Sequence, residues 1–68
     1  MKFDYKLLEA LTTIIQYQSF DKAASKLCIT QSAISQRIKL LEENIGQPVI
    51  VRCHPIIATE AGERLVVH

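Results

Sequence analysis

Apolar positions recur at helical spacing through the first two-thirds of the chain. Leu7, Leu8, Leu11, Ile14 and Ile15 form one stripe at i, i+1, i+4, i+7 and i+8, which predicts a helix over residues 4–18. Asp4 suits its N-cap, and Phe3 before the cap can staple onto Leu8. A short second helix is predicted over 20–27, with Ala23, Ala24 and Leu27 inward and either Ser19 or Asp21 as its cap. Two adjacent alanines let another helix approach closely, and a helix this short must be held by packing. Cys28-Ile29 is the break, with Cys28 expected to fill the tight turn. Thr30 then caps a third helix over 31–44, whose inward stripe is Ile34, Ile38, Leu41 and Ile45. Ile29 and Ile34 stand at the staple positions around that cap. Gly46 supplies a left-handed stop, and Pro48 prevents the helix from resuming.

After Pro48 the pattern changes. Val49-Ile50-Val51-Arg52 is a short β-branched strand, Cys53-His54-Pro55 a turn, and Ile56-Ile57-Ala58 the returning strand. Thr59 caps a last helix that begins Glu60-Ala61-Gly62-Glu63. Its Leu65-Val66-Val67 are apolar with no visible continuation, so the helix reads as the start of a longer one that has been cut. The expected architecture is mainly α: three helices, a short two-stranded hairpin and the start of a fourth helix. Residues 1–58 would form the domain and 59–68 the stub of a linker or dimerisation helix.

Length and composition narrow the function. The chain has 68 residues, 49% of them hydrophobic, with 2 Gly and 2 Pro, so it is one small packed domain. Such a chain rarely holds a deep cleft with a full catalytic set, which argues against an enzyme. Ser32 and Ser35 lie on an amphipathic helix, not on a nucleophile elbow. Cys28, Cys53, His54 and His68 lack metal-site spacing, so neither metal nor cofactor is expected. Two cysteines are too few for a disulfide scaffold, the N-terminus lacks the apolar core of a signal peptide, and no apolar run approaches a membrane span. The expectation is a cytoplasmic protein with reduced thiols and no membrane partner.

The net charge of +1 hides a gradient. Residues 22–40 hold Lys22, Lys26, Arg37 and Lys39 and no acid; residues 41–68 hold Glu42, Glu43, Glu60 and Glu63 against Arg52 and Arg64. Screening cuts fields off within about 8–10 Å, so local charge decides what an anion meets. Arg37 reads either as a phosphate contact or as a core-edge residue with a packed stem. Glu42-Glu43 reads as a solvated helix end.

The third helix carries the chemistry. Opposite its core stripe stand Ser32, Ser35, Gln36, Lys39 and Glu43, with Gln31 and Ser32 in the first turn. Solvated helix faces favour Glu and Lys pairs, and this one has hydroxyls and amides. Glutamine offers a donor and an acceptor to an adenine edge, serine suits a phosphate or almost any base, and the helix N-terminus attracts phosphate. A short helix, a tight break and a polar-faced longer helix match the helix-turn-helix. The competing reading is a surface helix that happens to be rich in Ser and Gln.

Ser19-Phe20-x-x-Ala23-Ala24-x-x-Leu27, then Thr30-Gln31-Ser32-Ala33-Ile34-Ser35-Gln36-x-Ile38-x-x-Leu41-Glu42-x-x-Ile45-Gly46, then Arg52 and Thr59-x-Ala61-Gly62, resembles the LysR-type transcriptional regulators. The run from Leu27 to Lys39 is most similar to the subgroup that regulates arginine export in response to lysine or arginine. The resemblance implies a winged helix-turn-helix at the N-terminus of a longer chain, bound to double-stranded DNA. It implies a homodimer or higher oligomer built through the helix that starts at Thr59, and a small-molecule effector bound by a domain outside these residues. On the matching positions, Thr30, Gln31, Ser32, Ala33, Ser35 and Gln36 would face bases or phosphates, Lys39 would meet phosphate, and Arg52 would sit at the wing base. Two features depart from the family: Val49-Ile50 stands where Leu-Phe is common, and the wing is short, without the extra basic residues of many relatives. The alternative function class is a winged-helix module that binds protein instead of DNA, which the low net charge favours.

Overall fold

A computed structural model of the chain describes residues 5–52 and 55–66. Four helices and one hairpin follow in order: α1 (Tyr5–Tyr17), α2 (Phe20–Leu27), α3 (Gln31–Ile45), β1 (Ile50–Val51), β2 (Ile57–Ala58) and α4 (Glu60–Val66). The proposed cap at Asp4, the staple from Phe3 and the turn residues Cys53 and His54 lie outside the described residues.

The helical stripes become the core. Leu7, Ala10, Leu11 and Ile14 of α1, Ala23 and Ala24 of α2, and Ile34, Ile38 and Leu41 of α3 are buried together with Val49, Ile50 and Ile56. Burying a large aliphatic side chain contributes about 1.5–3 kcal/mol. Helices α1, α2 and α3 pack pairwise against one another, and α4 lies against α1. Ile15, Leu27, Ile29, Ile45, Leu65 and Val66 are half-buried around this core. The apolar end of α4 is therefore packed, at least through Val66.

Caps set the helix limits. Ser19, not Asp21, caps α2: its hydroxyl oxygen accepts the Lys22 N–H at 3.0 Å. Thr30 caps α3 in the same way, accepting from Ala33 N–H at 3.0 Å. Helix α3 runs one residue further than expected, to Ile45, and closes on Gly46 at φ +77°, whose N–H reaches the Glu42 carbonyl at 2.8 Å.

Helices α1 and α2 also end on left-handed residues, and neither is glycine. Gln18 sits at φ +58° and Cys28 at φ +60°. At Cys28 the bonds are those of a Schellman motif, with Cys28 N–H to Ser25 O at 3.1 Å and Ile29 N–H to Ala24 O at 2.9 Å. Cys28 is exposed, so it does not fill the turn as expected. Its backbone shapes the turn, while Ile29 supplies the apolar anchor.

The hairpin is shorter than its sequence suggests. Among the described residues Ile50↔Ala58 and Val51↔Ile57 pair, antiparallel. Val49 and Arg52 flank β1, and Val49 still bonds Thr59, the residue opposite it in the hairpin register. The Val49 carbonyl accepts the Thr59 N–H at 2.9 Å, and Thr59 Oγ1 donates to the Pro48 carbonyl at 2.7 Å while accepting the Gly62 N–H at 3.1 Å. Gly62 is buried against this segment. A Cβ there would overlap the Val49 carbonyl oxygen and stand 2.9 Å from its carbon.

Two substitutions test this packing. Alanine is ordinarily favoured over glycine inside a helix by about 1 kcal/mol. Gly62→Ala should instead destabilise the chain, by about 1–3 kcal/mol for overpacking. Ala24 is 3% exposed, and Ala24→Leu should cost about 1–3 kcal/mol for the same reason. Circular-dichroism melts read both; an unchanged or raised Tm would contradict the close approach.

Candidate nucleic-acid interface

Burying Ile34, Ile38 and Leu41 forces the opposite side of α3 outward. Gln31, Ser32, Gln36, Lys39 and Glu43 are exposed, while Ala33, Ser35 and Arg37 are half-buried at the flanks. Thr30 is exposed, and its oxygen already accepts from Ala33 N–H. That bond fixes the first turn, so Gln31 and Ser32 are displayed on an ordered backbone. The expected face thus forms a ridge, as a groove-reading helix requires, not a cleft.

Gln36 and Lys39 come together. With Leu40 and Glu43 they line a shallow open groove of about 300 Å³. Leu40, 51% exposed, is an apolar member that the sequence pattern did not single out. Arg52 does not join this group. It leaves the end of β1 and lays its guanidinium over the Phe20 ring at the start of α2, 4.6 Å from the centroid. Lys22 and Lys26 are exposed on α2, so cations flank the helix-turn-helix.

Glu42 departs from its expected role. It is half-buried, and its Oε2 accepts the Val49 N–H at 3.0 Å. One member of the presumed solvated pair is therefore a clamp between α3 and the wing, while Glu43 is exposed. Gln18 was also unmarked by the sequence. From its left-handed position it donates through Nε2 to the Ile56 carbonyl at 2.6 Å, tying the wing to the end of α1. Phe20 had a signal, since it stands in the run that carried the resemblance; its contact with Arg52 did not.

Among the described residues no group of three or more His, Cys, Asp or Glu side chains could hold a metal. Cys53, His54 and His68 lie outside those residues. No described helix is long and apolar enough to cross a membrane.

Residues 5–63 match the family described as bacterial regulatory helix-turn-helix protein, lysR family. This chain belongs to the LysR family. A LysR-family relative from Pseudomonas fluorescens, the HTH-type transcriptional regulator ArgP, is 58% identical over 66 residues, covering 97% of this chain and 22% of that protein. The chain spans about a fifth of the length of the curated relatives it matches. The full-length LysG of Corynebacterium glutamicum with bound effector Arg has a TM-score of 0.90 at 44% identity, over 94% of this chain and 22% of that one. The BenM DBD in complex with catB site 1 DNA has a TM-score of 0.86 at 34% identity, over 93% of this chain and 71% of that one. The expected winged helix-turn-helix is thus the observed fold. The resemblance to LysR-type regulators is borne out, and the curated relatives include proteins named ArgP at 52–58% identity.

The Glu42 clamp is directly testable. Glu42→Ala should leave a half-buried N–H unpaired and destabilise the chain by about 1–3 kcal/mol. Glu42→Gln keeps an oxygen acceptor and should lose less. Equal melting of all three chains would show that the bond contributes nothing.

Proposed function

We propose that this chain is the operator-reading domain of a bacterial ligand-responsive transcriptional regulator, cytoplasmic and without catalytic activity of its own. The observation that carries the reading is the exposed α3 face, Gln31, Ser32, Gln36 and Lys39, set on a helix whose other side is the core. In a major groove, Gln36 and Ser35 read base edges, and Thr30, Gln31, Ser32 and Ala33 meet bases or phosphates at the helix start. Lys39 and Arg52 neutralise phosphates, Arg52 from the wing base. The DNA complex of the similar BenM DBD supports this docking.

In a protein of its relatives' length, residues 59–68 would belong to a linker through which two copies pair. A separate domain binds the small-molecule effector, as the effector-bound LysG relative suggests. Pairing lets one molecule meet two half-sites, and the second contact becomes intramolecular. The competing reading, a winged-helix module for protein partners, rests on the net charge of +1.

Duplexes selected from a randomised pool by the chain itself provide the probe. Gln36→Ala should weaken binding to the selected sequence by about 1–3 kcal/mol and relax preference at its contacted base. Lys39→Gln should weaken all sequences alike and reduce the salt slope by about one unit. Fluorescence anisotropy across a salt series reads both, with melts confirming the fold. Selection that enriches no sequence, with no salt-dependent binding, would favour the protein-binding alternative.

A further inference from the structure

The wing base rests on the junction between α1 and α2 at two points. On the outgoing side, the Arg52 guanidinium lies over the Phe20 ring, 4.6 Å from its centroid. On the returning side, Gln18 Nε2 donates to the Ile56 carbonyl at 2.6 Å. Among the described residues the hairpin between them has two residue pairs, too few to hold a long exposed side chain in one direction.

We propose that Phe20 is a positioning residue for DNA binding: its ring is the platform that holds the Arg52 guanidinium in the orientation in which it meets a backbone phosphate, with Gln18 fixing the wing over that platform. The inference rests on the reading of Arg52 as a phosphate contact.

The physics favours a platform over incidental packing. A free arginine side chain samples many rotamers, and ordering it opposes binding. A cation over an aromatic face is held by the ring quadrupole, and the planar guanidinium stacks with its N–H donors directed around the edge. The ring therefore restrains Arg52 without consuming the donors a phosphate needs. Phe20 is half-buried and belongs to the first turn of α2, directly after the Ser19 cap. The cap fixes the ring's backbone, and the ring fixes the arginine. Gln18, three residues from the Ile15 carbonyl that its Nε2 also approaches at 3.4 Å, is itself held in the α1 terminus.

The test is a double-mutant cycle on the 68-residue chain with a labelled duplex of mixed sequence, titrated across a salt series. Phe20→Leu removes the ring face but keeps apolar bulk, and it should weaken binding about two- to fivefold. Phe20→Tyr retains the face and should bind like the parent. In an Arg52→Gln background Phe20→Leu should add no further loss, because the ring acts through that side chain. Proton NMR of the free chain gives a readout without DNA: the Arg52 side-chain protons should be shifted upfield by the ring and return to ordinary positions in Phe20→Leu.

An equal loss from Phe20→Leu in both backgrounds would mean that the ring only packs, and would overturn the proposal. So would unchanged binding by a folded Phe20→Leu chain that has lost the ring shift, with Arg52→Gln still impaired. If instead Arg52→Gln leaves affinity and salt slope unchanged while the ring shift is present, the phosphate role of Arg52 itself falls, and the proposal with it.

Discussion

The peptide segment around Val49 is the joint on which the molecule depends. Its side chain is fully buried, its N–H is held by Glu42 of α3, and its carbonyl is held by the Thr59 N–H before α4. Thr59 also reaches the Pro48 carbonyl, and Gly62 closes the space above Val49. Helix α3, the wing and α4 are therefore fixed to one another through Pro48 and Val49. A carboxylate acceptor makes the bond to Val49 stronger than an ordinary amide pair. The Thr59 bond also continues the hairpin register one step past Ile50↔Ala58, so the wing leads directly into the start of α4.

A second constraint lies at the break between α2 and α3. Two buried alanines give α2 a low profile, so it packs on α1 and α3 at once. The chain then reverses through Cys28 in the left-handed region, a conformation that disfavours any residue with a Cβ. The Schellman bonds and the burial of Ile29 outweigh that strain. Thr30 restarts the helix immediately, so the first turn of α3 is ordered where its polar residues are displayed. Stability and presentation of the exposed α3 ridge thus come from the same few backbone bonds.

The longer helices were legible because each has a stripe at the helical period; of the α3 stripe, Ile34, Ile38 and Leu41 are buried and Ile45 is half-buried. The helix-turn-helix face was legible for the converse reason: Ser and Gln stood where solvated helices carry Glu and Lys. The stop at Gly46 and the break at Cys28 were legible, but the positive φ of Gln18 and Cys28 was not, because their side chains give no local sign of it. Three contacts escaped the sequence altogether. Glu42 to Val49, Gln18 to Ile56 and Arg52 to Phe20 join residues 7, 38 and 32 positions apart, and no periodicity relates such partners. Glu42 in particular looked like half of a surface pair, and only the fold shows that a buried backbone donor faces it.

Charge sets the character of the proposed DNA contact. With a net charge of +1, the domain cannot rely on a broad positive field, and only a few cations stand near the helix-turn-helix. Fewer phosphate contacts mean weaker non-specific binding and a shallower salt dependence. In the proposed contact, discrimination would then rest more heavily on the hydrogen bonds of the α3 face. In the proposed paired protein, weak single-site affinity would make pairing effective. Linking two such domains multiplies a modest, specific contact, whereas two strongly basic domains would hold any sequence. A restrained arginine at the wing fits that economy: where cations are few, fixing the direction of one matters more than adding another.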